Sequence, residues 1–203
     1  MTESRPAAMP DLRPAYRGAL SWAADLIAGV RPDQLEDPTP CTDFDVRTLL
    51  GHLLTTAERA RVAGTGGDVT VIPRVVVVPD DRYADAYADA VAGIARAWDD
   101  EAALTRMVTV PWGTVPGAGV IAGYLNETLV HGWDLAVATG QPSEADPALV
   151  EAVAGITRAF IPAEQRGGAV PFGPVVAPRP EAGPTERLAN WSGRPSPEAL
   201  RAA

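Results

Sequence analysis

The chain has 203 residues, 46% apolar and 21% charged, with a formal net charge of −9. This length and balance suit an ordinary soluble globular domain and exclude wholesale disorder. The negative charge repels phosphate backbones and anionic bilayers, so neither nucleic acid nor a membrane is an expected partner.

Taken in chain order, Leu12, Tyr16, Leu20, Ala23, Ile27 and Val30 recur at steps of three and four, which predicts a long amphipathic helix. It stops before Arg31 and Pro32, because the residue preceding proline resists the α region. A loop rich in proline and aspartate, DQLEDPTPCTDF, follows. Asp45 is placed to cap a second helix over 46–63, with an apolar stripe of Val46, Leu49, Leu50, Leu53, Leu54 and Ala57. Gly64, Thr65, Gly66 and Gly67 end it. The β-branched run TVIPRVVVVP is broken by Pro73 and reads as a short edge strand or an extended loop.

A third helix is expected over 82–98, with Tyr83, Tyr87, Val91, Ile94 and Trp98 inward. Residues 107–116 alternate and hold glycine and proline, the pattern of an extended connection. A fourth helix spans 117–138 and ends at Gly140, and a fifth spans 147–160. From residue 162 proline and glycine are dense, which reads as an ordered wrap with a helical piece near 185–191; disorder is the alternative, against which Phe172, Leu188 and Trp191 argue for docking. The class is therefore all-α: a bundle of four principal helices with long connections over residues 1–161, and a Pro/Gly-rich extension over 162–203 packed on the same domain.

All 17 basic residues are arginine, which removes lysine Schiff-base chemistry, pyridoxal-phosphate attachment and a phosphate-loop lysine. Cys41 is the one cysteine, so no intrachain disulfide and no cysteine-built zinc knuckle is expected. The N-terminal stretch lacks a signal's apolar region and no run nears the ~18 apolar residues of a membrane span. A cytoplasmic location is the resulting expectation.

Glu127 and His131 stand four apart on the fourth helix, so both side chains reach one face and can converge on one ion. His52 lies on the second helix, which a bundle can place next to the fourth. Two imidazoles and a carboxylate suit Zn²⁺, and also Ni²⁺, Fe²⁺ or Mn²⁺, and three protein ligands leave an open position of the catalytic kind. The same residues read blandly as a helix-surface Glu–His pair and a flank histidine, since His52 falls about 130° from the centre of its helix's apolar stripe. Helical geometry leaves both readings open. Asp134, three after His131, is either an outer carboxylate orienting the free ring nitrogen or a surface group. Trp112 and Tyr124 are candidates to line a substrate pocket, with a packing lid and plain core as their other readings. Cys41 reads as a small buried residue, with nucleophilic use requiring a base such as His52 nearby.

Four stretches together resemble a known family: TPCTDFDVRTLLGHLL, VTVPWGTVPG, NETLVHGWDLAVATG and ERLANWSGRP. They are similar to the DinB-like superfamily and, within it, to the mycothiol-dependent maleylpyruvate isomerase N-terminal domain group and its actinobacterial metal-binding relatives of unassigned function. The resemblance implies a DinB-like four-helix bundle with a divalent metal, usually zinc, held by His52, Glu127 and His131. The superfamily's usual set is three histidines; Glu127 takes one of those places, as in the mycothiol-linked branch. It also implies a transferase or isomerase that uses a low-molecular-weight thiol such as mycothiol on a small electrophile. The isomerases carry a further C-terminal α/β domain, and no βαβ pattern follows the bundle here, so the maleylpyruvate reaction itself is not expected. A non-catalytic metal-containing binding or structural bundle and a metal-dependent hydrolase are the alternatives. The general base and substrate are not identified by the residues, and a homodimer is compatible with any bundle face.

Overall fold

The computed structural model describes residues 9–164, 166 and 172–198; residues 1–8, 165, 167–171 and 199–203 lie outside the described residues. Both expected units are therefore described only in part. Among the described residues the fold is all-α apart from one two-stranded hairpin.

Helix α1 (Arg13–Ala28) begins with proline in its first turn, where no amide partner is lost, and turns Tyr16, Ala19, Leu20, Ala23, Leu26 and Ile27 inward. Helix α2 (Val46–Gly64) starts at Asp45, whose side chain accepts the Thr48 amide at 2.8 Å. Such a cap contributes about 1 kcal/mol. Helix α3 (Tyr83–Ala97) buries Tyr83, Tyr87, Ala90 and Ile94, with Trp98 just beyond its end. Val91, expected inward, is only half-buried: the stripe runs through Ala90, about 100° away from it.

A short helix α4 (Ala102–Thr105) precedes the segment expected as an extended connection, which is instead a hairpin. Strands β1 (Met107–Val110) and β2 (Gly113–Pro116) pair antiparallel, with Met107 opposite Pro116 and Val110 opposite Gly113. Its alternation has a structural cause: Val108 and Val110 face the core and Met107 and Thr109 face out.

Helix α5 (Gly117–Thr139) is buried on nearly every side, which is why its sequence is apolar without a clean stripe. It stops at Gly140, whose left-handed φ of 69° suits glycine. Helix α6 (Pro147–Phe160) is capped by Asp146, and α7 (Pro184–Trp191) follows within the C-terminal segment.

Helix α2 packs on α3 and α5, and α1 packs on α5 and α3, so these four make the bundle; α6 flanks α1 and α5, and α7 rests on α5 and α6. Leu20, Leu49, Leu53, Ile121, Leu125, Leu129 and Trp133 are among the side chains closed off at its centre. Each such burial contributes roughly 1.5–3 kcal/mol. No described helix is long and apolar enough to cross a membrane.

The β-branched run after α2 forms no strand: a 3₁₀ turn at Val69–Val71 leads into chain laid along α2. The Val76 amide donates to the Gly51 carbonyl at 3.2 Å and to the Thr55 hydroxyl at 3.0 Å, so its donor goes to the helix rather than to a ladder. Gly51 permits the approach; a Cβ there would sit 2.5 Å from the Val76 carbonyl oxygen. This contact holds the Arg74 carbonyl over His52.

Candidate metal centre

Side by side, α2 and α5 bring His52, Glu127 and His131 together, with one ligand atom from each lying within 4.8 Å of the others. Glu127 Oε2 is 3.5 Å from His131 Nε2 and 3.8 Å from His52 Nε2. The two imidazoles stand edge to face, with centroids 4.8 Å apart. These separations are too long for hydrogen bonds. They approach the about 3.3 Å expected between two atoms that each sit roughly 2.0–2.1 Å from one tetrahedral ion.

The far edge of each ring explains why the Nε2 atoms converge. His52 Nδ1 lies 2.9 Å from the Arg74 carbonyl oxygen, which can only accept, so Nδ1 carries the proton and donates. His131 Nδ1 donates in the same way to Asp134 Oδ2 at 3.0 Å. Both Nε2 atoms are thereby turned toward a carboxylate oxygen, and a neutral ring presents its lone pair there, the arrangement in which histidine ligates a cation. The donor set fits a divalent ion.

Electrostatics agree with that geometry. Asp134 is fully buried, paired with the guanidinium of Arg194, and Glu127 is three-quarters buried. Burial pushes the Glu127 carboxyl up, but the neighbouring His131 and then His52 imidazoles outweigh it and hold the group well below the usual carboxylate range. Burial pulls His131 down, and Asp134 followed by Glu127 outweighs that, raising it to about 9. Without a cation a proton on His131 balances the two carboxylates. A divalent cation held there would supply that positive charge instead.

Phe44, at the end of the loop before α2, walls the two rings: its centroid lies 5.1 Å from His52 and 6.5 Å from His131. The Arg74 guanidinium covers the Phe44 ring at 5.0 Å. Tyr124, one turn before Glu127 on α5, is buried, with a hydroxyl lacking any hydrogen-bond partner among the described residues. Trp112, in the hairpin turn, is 45% exposed and meets Tyr124 edge-on at 5.1 Å. Two surface recesses, one beside 66–68 and 106–109 and one between α6 and α7, share no residue with this cluster.

Asp134 is no surface carboxylate: its side chain has no solvent exposure. Cys41 is half-buried rather than buried, and its Sγ lies within 4.8 Å of a His131 nitrogen and an Asp134 oxygen. Burial pushes its thiol up more than Arg194 pulls it down, so it is a neutral thiol near neutral pH. Sequence reasoning missed Phe44, the Arg74 carbonyl and Arg194. The late ERLANWSGRP stretch contains Arg194, but nothing in local spacing connects it to a residue sixty positions earlier.

Residues 16–136 match the family described as the mycothiol maleylpyruvate isomerase N-terminal domain. His52, Glu127, His131 and Asp134 fall inside that range, and Arg194 falls outside it. Two uncharacterized proteins of Mycobacterium tuberculosis, from strains CDC 1551 / Oshkosh and H37Rv, are each 30% identical over 180 residues, covering 89% of this chain and 96% of the relative. That coverage carries the likeness well beyond residue 136. No solved structure matches the chain.

Proposed function

The chain belongs to the mycothiol maleylpyruvate isomerase N-terminal domain family, and on that premise we propose that it is a zinc-dependent transferase or isomerase joining a low-molecular-weight thiol to a small electrophile. Its metal ligands are His52, Glu127 and His131. The observation that carries this reading is the convergence of two Nε2 atoms and one carboxylate oxygen, each ring held from behind at Nδ1.

A divalent cation held there supplies a Lewis-acid position at which a thiol loses its proton near neutral pH. The chain's own residues prepare that position. Glu127 brings the negative charge, and the Arg74 carbonyl and Asp134 hold the Nδ1 proton of each ring, so that both Nε2 atoms face the cation's position. Phe44 keeps water off the rings on one side. Trp112, half-exposed and seated on Tyr124, is assigned to the approach for the organic substrate. The family description makes mycothiol the first thiol to test, in a cytoplasmic setting.

Zinc-loaded protein is expected to melt at a higher temperature with mycothiol present, since a ligand bound only by the native state stabilises it by ~2.7 kcal/mol at a hundredfold excess over Kd. It is also expected to consume mycothiol with chlorodinitrobenzene faster than free zinc does. No melting shift together with no acceleration contradicts the thiol chemistry.

A further inference from the structure

We infer that Arg194, delivered by the C-terminal segment, is a positioning residue of the metal centre: it holds Asp134 so that Asp134 holds His131 with Nε2 facing Glu127 and His52. The inference rests on the metal reading above and adds a residue from outside the family-matched range.

Arg194 Nε lies 3.0 Å from both carboxylate oxygens of Asp134. One of those oxygens, Oδ2, accepts from His131 Nδ1. The three groups therefore form a chain that ends on the ring whose other nitrogen sits 3.5 Å from Glu127. Asp134 has no exposed side-chain surface, so water does not stand in for a missing partner there. A buried carboxylate with one donor is free to rotate about its own axis; a second donor that spans both of its oxygens fixes the carboxylate plane and, with it, the imidazole.

The segment is built to place this guanidinium. Glu144 accepts the Thr185 and Glu186 amides at 2.9 and 3.1 Å, which seats the start of α7. Leu188, Ala189 and Asn190 are buried, and Trp191 Nε1 donates to the Ile161 carbonyl at 3.0 Å. Past the helix, Gly193 adopts a φ of 91°, and the Arg194 amide turns back to the Ala189 carbonyl at 3.0 Å. The Asn190 side chain donates to the Arg194 carbonyl at 3.0 Å. Both ends of Arg194's own backbone are thus tied to α7, while its side chain, mostly buried, points toward α5. A purely structural ion pair requires none of the coupling to His131.

The test is zinc affinity, measured by competition with a chromophoric chelator, alongside the melting temperature of the zinc-free protein. Arg194→Gln is expected to weaken zinc binding about tenfold and Asp134→Asn by about 10–100-fold, the range for outer partners of metal-ligating histidines. Because the two act in series, the double variant is expected to bind zinc no more weakly than Asp134→Asn alone. Wild-type affinity in Arg194→Gln, whatever its melting temperature, overturns the inference while leaving the metal reading intact; absence of zinc binding by the wild-type chain overturns both. Nitrogen NMR of the zinc-loaded wild-type histidines keeps the test decisive should a variant fail to fold. His131 is expected to show a protonated Nδ1 and a ligating Nε2, and a ligating Nδ1 overturns the relay.

Discussion

His131 is approached from two sides by two differently built regions. On its Nε2 side, at the α2–α5 seam, Glu127 Oε2 stands 3.5 Å away and is itself 3.8 Å from His52 Nε2, among groups that keep some exposure and with no hydrogen bond closing the gap. On its Nδ1 side, α5 and the C-terminal segment close down to 3.0 Å around a carboxylate with no exposure at all. The tight side holds the Nδ1 proton and fixes the ring's direction, and that is what leaves Nε2 facing the loose side, where there is room. Rigidity behind the ring and openness in front of it are one design, in which the side that binds nothing new prepares the side that does.

The largest expected way to break the contrast is on the loose side. Glu127→Ala removes the carboxylate facing both Nε2 atoms and is expected to cost more than ~100-fold in zinc affinity, beyond the span for outer partners. A chelator-competition titration checks it, and a loss smaller than that of Asp134→Asn would reverse the assignment of the two sides.

Next in size is the pH response. In zinc-free protein, His131 is raised from 6.5 to about 9. A folded value above the unfolded one means that the proton on His131 contributes stability below about pH 6.5, and that this contribution is lost as pH climbs through about 9. The contribution is on the order of 3 kcal/mol. Zinc reverses the trend, because binding releases that proton and affinity rises across the same window. Denaturant unfolding at about pH 6 and about pH 9, with and without zinc, is expected to show the opposite slopes; parallel slopes contradict the account.

Smaller again is the support behind His52. Gly51→Ala places a Cβ against the Val76 carbonyl and pushes the chain carrying the Arg74 carbonyl off α2. About 1–3 kcal/mol of stability is expected to go, as for overpacked sites, with a loss of zinc affinity of only a few-fold. Thermal unfolding and the same titration measure both, and a loss confined to stability would mean that His52 keeps its direction unaided.

How legible each part of the molecule is in its sequence follows the range of the interactions that build it. The starts of α2 and α6 are written locally, in Asp45 before Val46 and Asp146 before Pro147, and the end of α5 is written in Gly140. Glu127 and His131 share a helix, so their spacing alone puts them on one face. His52 is harder, since its partnership depends on which helices touch and on a bundle seam that its own stripe does not include. The run after α2 has the composition of a strand, yet Pro73 breaks it and the Val76 amide bonds to the Gly51 carbonyl, which lays it on a helix instead. The alternation of 107–116 is visible in the sequence, but its fold-back at Pro111 and Trp112 carries none of the usual asparagine–glycine or aspartate–glycine hairpin signals. Least legible is Arg194, whose contact with Asp134 depends on the docking of α7, a helix anchored by Glu144 and Ile161 at a distance no periodicity spans.

Elemental analysis of the gently purified chain, run beside a variant in which His52, Glu127 and His131 are all alanine, addresses the central claim most directly. The account predicts close to one divalent ion per wild-type chain and none in the variant; fewer than about 0.1 ion per wild-type chain, or equal content in the two proteins, contradicts it.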